Sequence, residues 1–358
     1  MDEIFTGGTF VSDLGLSGEF SPSGVYLDTA SYGLPPRSTS SALARVLTEW
    51  STGQGIWEEW SLAVDRAREY FGLLMGVQSD RIMTGASYSQ ILSIVVSGLS
   101  VPAVVVSTDI EFTSNLFPFA VRDDLAAQIR TVPTARLEES ITPDVTVVAC
   151  PAVQSSTGER VDLPSIARRC TEVGARLIVD ATQAAGWLPI DTNGIDALIC
   201  SGYKWLLCPR GVAFGVLSPS LMSEMRPIAA NWFAGEDVHQ SYYGLPLRLA
   251  SSARRFDISP AWFSWVGAEE SLRLLSALGA RAIYRHNLAL VEEFWRASGR
   301  EGDASSAIVS LQTIEGVDLS STPFRASRRD GGLRLSFHLY NSLEQAQLVG
   351  QFLAPYLR

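Results

Sequence analysis

Lysine is almost absent from this chain. Lys and Arg together number 28 among 358 residues, and Lys204 is the only lysine. Lysine is normally among the commonest residues. Its scarcity excludes a phosphate loop of the G-x-x-x-x-G-K-[ST] type, because Lys204 is not preceded by that glycine pattern. It also excludes a lysine-rich nucleic-acid tail or membrane patch. Histidine is scarce too: His239, His286 and His338 lie far apart, so no metal site is expected. The four cysteines, at 150, 170, 200 and 208, form neither a paired C-x-x-C zinc set nor a small disulfide framework. No apolar run is long enough to span a bilayer; the most apolar stretch, 91–106, is broken by Ser, Gly and Pro. The opening MDEIFTGGTF is acidic and lacks an apolar core, so no signal peptide is expected and a cytoplasmic location is. A formal net charge of −10 opposes binding to nucleic acid or anionic membranes.

What remains fits a well-packed globular chain. Hydrophobic residues make up 46% and charged residues 18%, and the length suits two domains. Short β-rich runs occur at 104–107, 145–149, 177–180, 197–201 and 211–217. Runs that are apolar throughout suit strands covered on both faces. Helical stretches lie between them. One spans 163–174, with Pro164 in its first turn and Gly174 at its end; another spans 87–99. This β–α–β rhythm predicts an α/β fold with a mostly parallel, doubly wound sheet, whose ligands bind at the carboxyl ends of strands. After about residue 250 the texture changes. Helices are expected at 261–278, 281–298 and 342–357, and strands at 308–312 and 333–337. The expected division is a large domain over 20–250, and a smaller α+β domain from 1–19 plus 251–358. The segment 225–249 is rich in Trp, Tyr, Gly and Pro and reads as a long functional connection.

The chemistry centres on V-D-A-T-Q at 179–183 and S-G-Y-K at 201–204. Asp180 ends an expected strand, and Lys204 follows the next one at the same sheet edge. An amine and a carboxylate placed there suit pyridoxal 5′-phosphate (PLP). The amine forms an imine with the aldehyde, and the carboxylate pairs with the protonated ring nitrogen. Arginine cannot replace that lysine, because its guanidinium stays protonated. A nicotinamide dehydrogenase is disfavoured, since no G-x-G-x-x-G follows an expected strand.

These motifs resemble the class V aminotransferase and cysteine desulfurase group of fold-type I PLP enzymes. The likeness also rests on Y-L-D-T-A-S-Y-G-L-P-P (26–36), T-G-A-S-Y-S (84–89), I-E-F-T-S-N (110–115), V-Q-S-S-T-G (153–158) and L-R-L-S-F-H-L-Y-N (333–341). The resemblance implies that Lys204 is the Schiff base lysine and proton carrier, and that Asp180 pairs with the ring nitrogen. Gln183 would bond the ring's phenolic oxygen, with Ser155 or Gln154. Ser87 and the N–H groups of Ala86 and Ser87 would cradle the phosphate, completed by Ser201 and Tyr203. Many relatives carry a histidine where Tyr203 stands. Phe112 falls at the ring-stacking position, where it can stack but not exchange protons. Arg334 would grip the substrate α-carboxylate, with Thr29 and Ala30 on the substrate side. A homodimer with shared active sites is implied. Asp237, Tyr242 and Tyr243 are then candidates for an interface or substrate pocket, and Arg254, Arg255 and Ser259 for an approach to the neighbour's phosphate. His338 reads as structural.

Desulfurases of this group carry a sulfur-accepting cysteine well after the lysine, whereas the last cysteine here is Cys208. A persulfide-forming desulfurase is therefore not expected. The finer motifs resemble an isopenicillin-N-epimerase-like branch that includes actinomycete enzymes of specialised metabolism. Some of those act on cysteine S-conjugates, as in lincosamide pathways, and the arginine bias fits a high-GC genome. The favoured reading is β-elimination of a C–S bond from a bulky amino acid. Transamination, epimerisation, decarboxylating or oxidative deamination, and non-catalytic PLP binding stay open.

Overall fold

The structure is a computed structural model, and it describes residues 14–16, 18–99, 102–311 and 322–357. The expectation of no signal peptide concerns residues outside the described ones, as does residue 312 of an expected strand.

The chain runs β1 (Val25–Tyr26), α1 (Arg37–Ser51), α2 (Trp57–Met75), β2 (Ile82–Gly85), α3 (Tyr88–Ser97), β3 (Val104–Thr108), α4 (Phe117–Ala120), β4 (Gln128–Val132), β5 (Val147–Pro151), α5 (Leu163–Val173), β6 (Arg176–Asp180), β7 (Ala197–Ser201), β8 (Ala213–Leu217), α6 (Pro219–Glu224), α7 (Trp262–Leu278), α8 (Ala280–Ser298), β9 (Ile308–Leu311), β10 (Phe324–Arg325), β11 (Ser327–Arg329), β12 (Gly332–Ser336) and α9 (Leu343–Leu353). A seven-stranded sheet has the order β2-β8-β7-β6-β5-β3-β4. All pairings are parallel except those of β8, which runs antiparallel to both β7 and β2. This is the fold-type I PLP architecture, as expected. Strands β5, β7 and β8 are buried at every residue, which explains why their sequences do not alternate. The edge strand β4, Q-I-R-T-V, has no fully buried residue and escaped the sequence reading.

Helix ends follow local chemistry. Ser87 caps α3 by accepting the Gln90 N–H at 3.3 Å, and Asp162 caps α5 by accepting the Ser165 N–H at 3.2 Å. Gly174 ends α5 in the left-handed region at φ 77°. The strand expected from 211 begins at Ala213, because Gly211 turns the chain at φ 94°. The last helix ends at Leu353 and continues only as a short 3-10 turn over Ala354–Tyr356.

Helices α1 and α2 pack against α7, while α8 packs against α9. A second sheet, ordered β11-β12-β9, contributes Leu333, Leu335 and Val309 to a separate apolar cluster with Phe294 and Phe337. A buried ion pair ties helix α2 to the loop before α7. Arg68 donates to Asp257 at 2.7 Å, and Asp257 also accepts the Thr84 N–H at 2.7 Å. The segment 225–249 is irregular apart from one short turn at Trp232–Ala234. Among the described residues, no helix is long and apolar enough to cross a membrane.

Candidate active site

Parallel strands align their carboxyl ends, and the site forms along that edge. Asp180 is the last residue of β6, and Lys204 lies three residues past β7. Both line a cavity of about 340 Å³ with Ser87, Ser155, Gln183, Ser201, Tyr203 and Phe112. That volume lies within the range of roughly 300–1,000 Å³ common for small-ligand sites.

Lys204 is 7% exposed. Its Nζ sits 5.7 Å from the Phe112 ring centre and 5.9 Å from that of Tyr203. Burial first, opposed by Asp180 and aided by Arg334, Arg329 and Arg210, brings its pKa down to about 8. An ammonium there loses a proton far more readily than a surface lysine. Asp180 accepts the Thr182 N–H at 2.7 Å, and burial raises its pKa. The lysine loop is pinned from the other side by Gly33, whose N–H donates to the Tyr203 carbonyl at 2.9 Å. A Cβ on Gly33 would sit 2.1 Å from the Lys204 carbonyl oxygen, so only glycine permits this approach.

Gln183 is held on both ends. Its Nε2 donates to the Ala30 carbonyl at 3.1 Å and to Ser155 Oγ at 2.9 Å, and its Oε1 accepts from Trp205 at 2.8 Å. Ser155 is shared with Arg334, whose Nη1 donates to the Ser155 carbonyl at 2.6 Å. Arg334 Nη2 donates to Ser31 Oγ at 2.9 Å and Ser327 Oγ at 3.1 Å. This guanidinium is only 1% exposed, its nearest carboxylate is Asp28 at 3.8 Å, and its Nε is unpartnered. Burial lowers its pKa to about 10, so it remains charged at neutral pH. A buried cation satisfied mainly by neutral groups is poised to receive an anion.

Not every expected residue reaches the cavity wall. Ala86 donates its N–H to Gln90 Oε1 at 3.1 Å instead of leaving it free. Gln154 is fully buried; its Nε2 donates to Thr108 Oγ1 at 3.1 Å, and its Oε1 accepts the Ser155 N–H at 2.8 Å. Thr29 and Ala30 are buried. Thr29 bonds the Tyr340 hydroxyl, and Ala30 donates its N–H to Ser336 Oγ at 3.0 Å. They tie the N-terminal segment to β12 behind the site. His338 is buried, shares a hydrogen bond with the Trp205 carbonyl at 3.1 Å, and has its pKa pushed down to about 3. Asp237, Tyr242 and Tyr243 lie on the exposed segment, where Tyr242 stacks edge-on with Trp57 and hydrogen-bonds His239 at 2.8 Å. Arg255 bonds the Met222 carbonyl, and Arg254 acts electrostatically on Asp257. Neither they nor Ser259 line the cavity.

The sequence reading missed two charged residues that do line it, Glu111 and Arg210. Glu111 accepts the Phe112 N–H at 2.8 Å, and burial, then Asp180, raise its pKa to about 8. It is protonated at neutral pH.

The class-V aminotransferase family model matches residues 25–296, and the chain belongs to that family. The family's cofactor is PLP, and the residues present fit it: a buried amine of lowered pKa, a carboxylate at the adjacent strand end, an aromatic ring beside the amine, and serines at a helix start. An aminotransferase of Bacillus subtilis, YcbU, described as uncharacterized, is 27% identical over 81% of this chain and 82% of its own. A probable cysteine desulfurase of Methanothermobacter thermautotrophicus is 24% identical over 92% of this chain and 94% of its own. Among solved structures, the cystine C–S lyase C-DES in complex with cysteine persulfide superposes with a TM-score of 0.80 at 19% identity, covering 94% of this chain and 98% of that one. Isopenicillin N epimerase of Streptomyces clavuligerus matches at 29% over 61% of this chain and 60% of its own, so the comparisons do not single out the epimerase-like branch. Nor do they support excluding a desulfurase, since cysteine desulfurases are among the well-covered relatives.

Proposed function

We propose that this PLP-dependent family member acts at the α-carbon of a bulky amino acid, a cysteine S-conjugate, and cleaves its β C–S bond. The observation that carries the reading is the buried Lys204 amine, with a pKa near 8, facing Asp180 while Arg334 stands charged behind Ser155. PLP bound there supplies an electron sink that makes the bonds of the substrate α-carbon labile. Asp180 would pair with the protonated ring nitrogen of that cofactor. Arg334 orients the substrate through its carboxylate. Lys204 Nζ, whose lowered pKa of about 8 leaves a usable neutral fraction near physiological pH, takes the α-proton, and the Phe112 ring flanks it. The β-thiolate then leaves, and hydrolysis gives pyruvate and ammonia.

The thiols favour release over capture of sulfur. All four cysteines are buried, and burial raises the pKa of each. A persulfide acceptor needs an accessible thiolate. Family resemblance and the exposed Tyr243, Leu245 and Leu247 of the connecting segment support our further reading of a homodimer.

The test is product analysis. Purified protein is incubated with cysteine, cysteine S-conjugates and a panel of other amino acids, and products are scored by mass spectrometry. Pyruvate with a free thiol in equal amounts is expected. Keto acid of the intact substrate would instead establish transamination. Persulfide on the protein would establish desulfuration, an inverted isomer epimerisation, and carbon dioxide release decarboxylation. Bound cofactor with no turnover would indicate a binding protein.

A further inference from the structure

PLP carries a phosphate that is close to a dianion at neutral pH. The cup that would hold it is built from Ser87, Ser89, Ser201 and Tyr203, all of them neutral. Tyr203 stands where many relatives have a histidine, so a charge that histidine could bring is missing here. The same cavity holds two carboxyl groups, Asp180 and Glu111. Its lining cations are Lys204 and Arg210, and Lys204 is committed to the aldehyde.

Arg210 has the attributes of the missing cation. Its guanidinium carbon lies 4.4 Å from the centre of the Tyr203 ring, so the ring acts as a platform for it. It is close enough to lower the pKa of Lys204. Its side chain is exposed and makes no hydrogen bond or ion pair with the described residues, so its donors remain available. Its backbone is fixed: the Arg210 carbonyl accepts from Ser264 Oγ at 2.8 Å, and Gly211 turns the chain directly afterwards. The turn thus presents a guanidinium, braced on Tyr203, to the serine-lined end of the cavity.

We propose that Arg210 is a phosphate ligand of the cofactor, supplying through the β7–β8 turn the positive charge that Tyr203 cannot. The assignment rests on the reading of Ser87, Ser201 and Tyr203 as the phosphate cup. Guanidinium geometry suits the task, since its fork can meet two phosphate oxygens at once. The charge is also permanent, so phosphate binding here does not fade as a histidine would deprotonate.

The experiment compares PLP with pyridoxal, which has the same aldehyde and ring but no phosphate. Apo-protein is titrated with each, and binding is read from the visible absorption of the bound compound, which can arise only at one lysine. Arg210→Gln should bind PLP about 10- to 100-fold more weakly, the range for lost hydrogen bonds to a charged group. Its affinity for pyridoxal should not change. Arg210→Lys should recover most of the PLP affinity, and inorganic phosphate should compete with PLP in the wild type more strongly than in Arg210→Gln. Equal loss for PLP and pyridoxal, or no loss for either, overturns the proposal while leaving the cofactor site standing. Wild-type protein that binds neither compound overturns the site reading itself. Because Arg210 is exposed, unchanged circular dichroism is expected of each variant.

Discussion

Arg334 offers the sharpest quantitative test of the site. In Arg334→Met a side chain of similar reach fills the space without charge or donors. In the wild type, the Nη1 and Nη2 donors already serve Ser155, Ser31 and Ser327. An arriving carboxylate therefore exchanges neutral partners for charged ones instead of filling two empty positions. Hydrogen bonds to charged groups contribute about 1.5–3 kcal/mol each. Two of them, taken at the lower end because of that exchange, give about 3 kcal/mol, or about a hundredfold in affinity. The assay measures dissociation constants of an unreactive amino acid and of the matching amine without a carboxylate, both from the change in absorption of the bound cofactor. The amino acid should lose about two decades of affinity in the variant, and the amine should lose none. Equal losses would mean that Arg334 only braces Ser155 and Ser31, and the carboxylate role would be wrong.

Three other outcomes follow from the same geometry. Lys204 titrates near 8 in the folded protein, so the rate of PLP capture by apo-protein should rise about tenfold per pH unit below that value and level off above it; Lys204→Ala should show no capture at any pH. Glu111 has a folded pKa near 8 against an ordinary 4.5. The unfolded chain therefore loses that proton first, and stability falls as pH rises through this window. The melting temperature of apo Glu111→Gln should climb relative to wild type between pH 5 and 8 and then stay level, whereas a gap independent of pH would contradict the assignment. Gly33→Ala forces the Lys204 carbonyl to move; cofactor affinity should fall by at least about tenfold, from about 1.4 kcal/mol of displaced geometry, with far-ultraviolet circular dichroism unchanged.

Much of the central sheet was legible because its strands are covered on both faces. The runs ending at Asp180 and Ser201 show no alternation, and the structure gives the reason in their burial. Helix α1 was harder to see. Only Thr39, Ala42 and Val46 of its fifteen residues are buried, so its apolar stripe is thin. Lys204, Asp180 and Gln183 were readable as a group from V-D-A-T-Q and S-G-Y-K, and the structure brings all three to one cavity. Glu111 was not. In sequence it is an acid beside an aromatic, and its raised pKa arises from burial on folding and then from the neighbouring Asp180. Arg210 was hidden among many arginines. The signal that could have found it was indirect: the proposed phosphate cup ends in tyrosine, which turns attention to cations on the neighbouring turn.

The solitary lysine also makes the protein its own reporter. Feeding lysine labelled with ¹⁵N at the side-chain nitrogen would place a single labelled ε-amine in the chain, held between Phe112 and Tyr203. One resonance would then follow the site through protonation, cofactor loading and substrate exchange, with no assignment problem. A lysine-specific protease has a single possible cut in the polypeptide, beside a residue that is 7% exposed. Cleavage into two fragments would therefore measure opening around residue 204, and nothing else in the molecule.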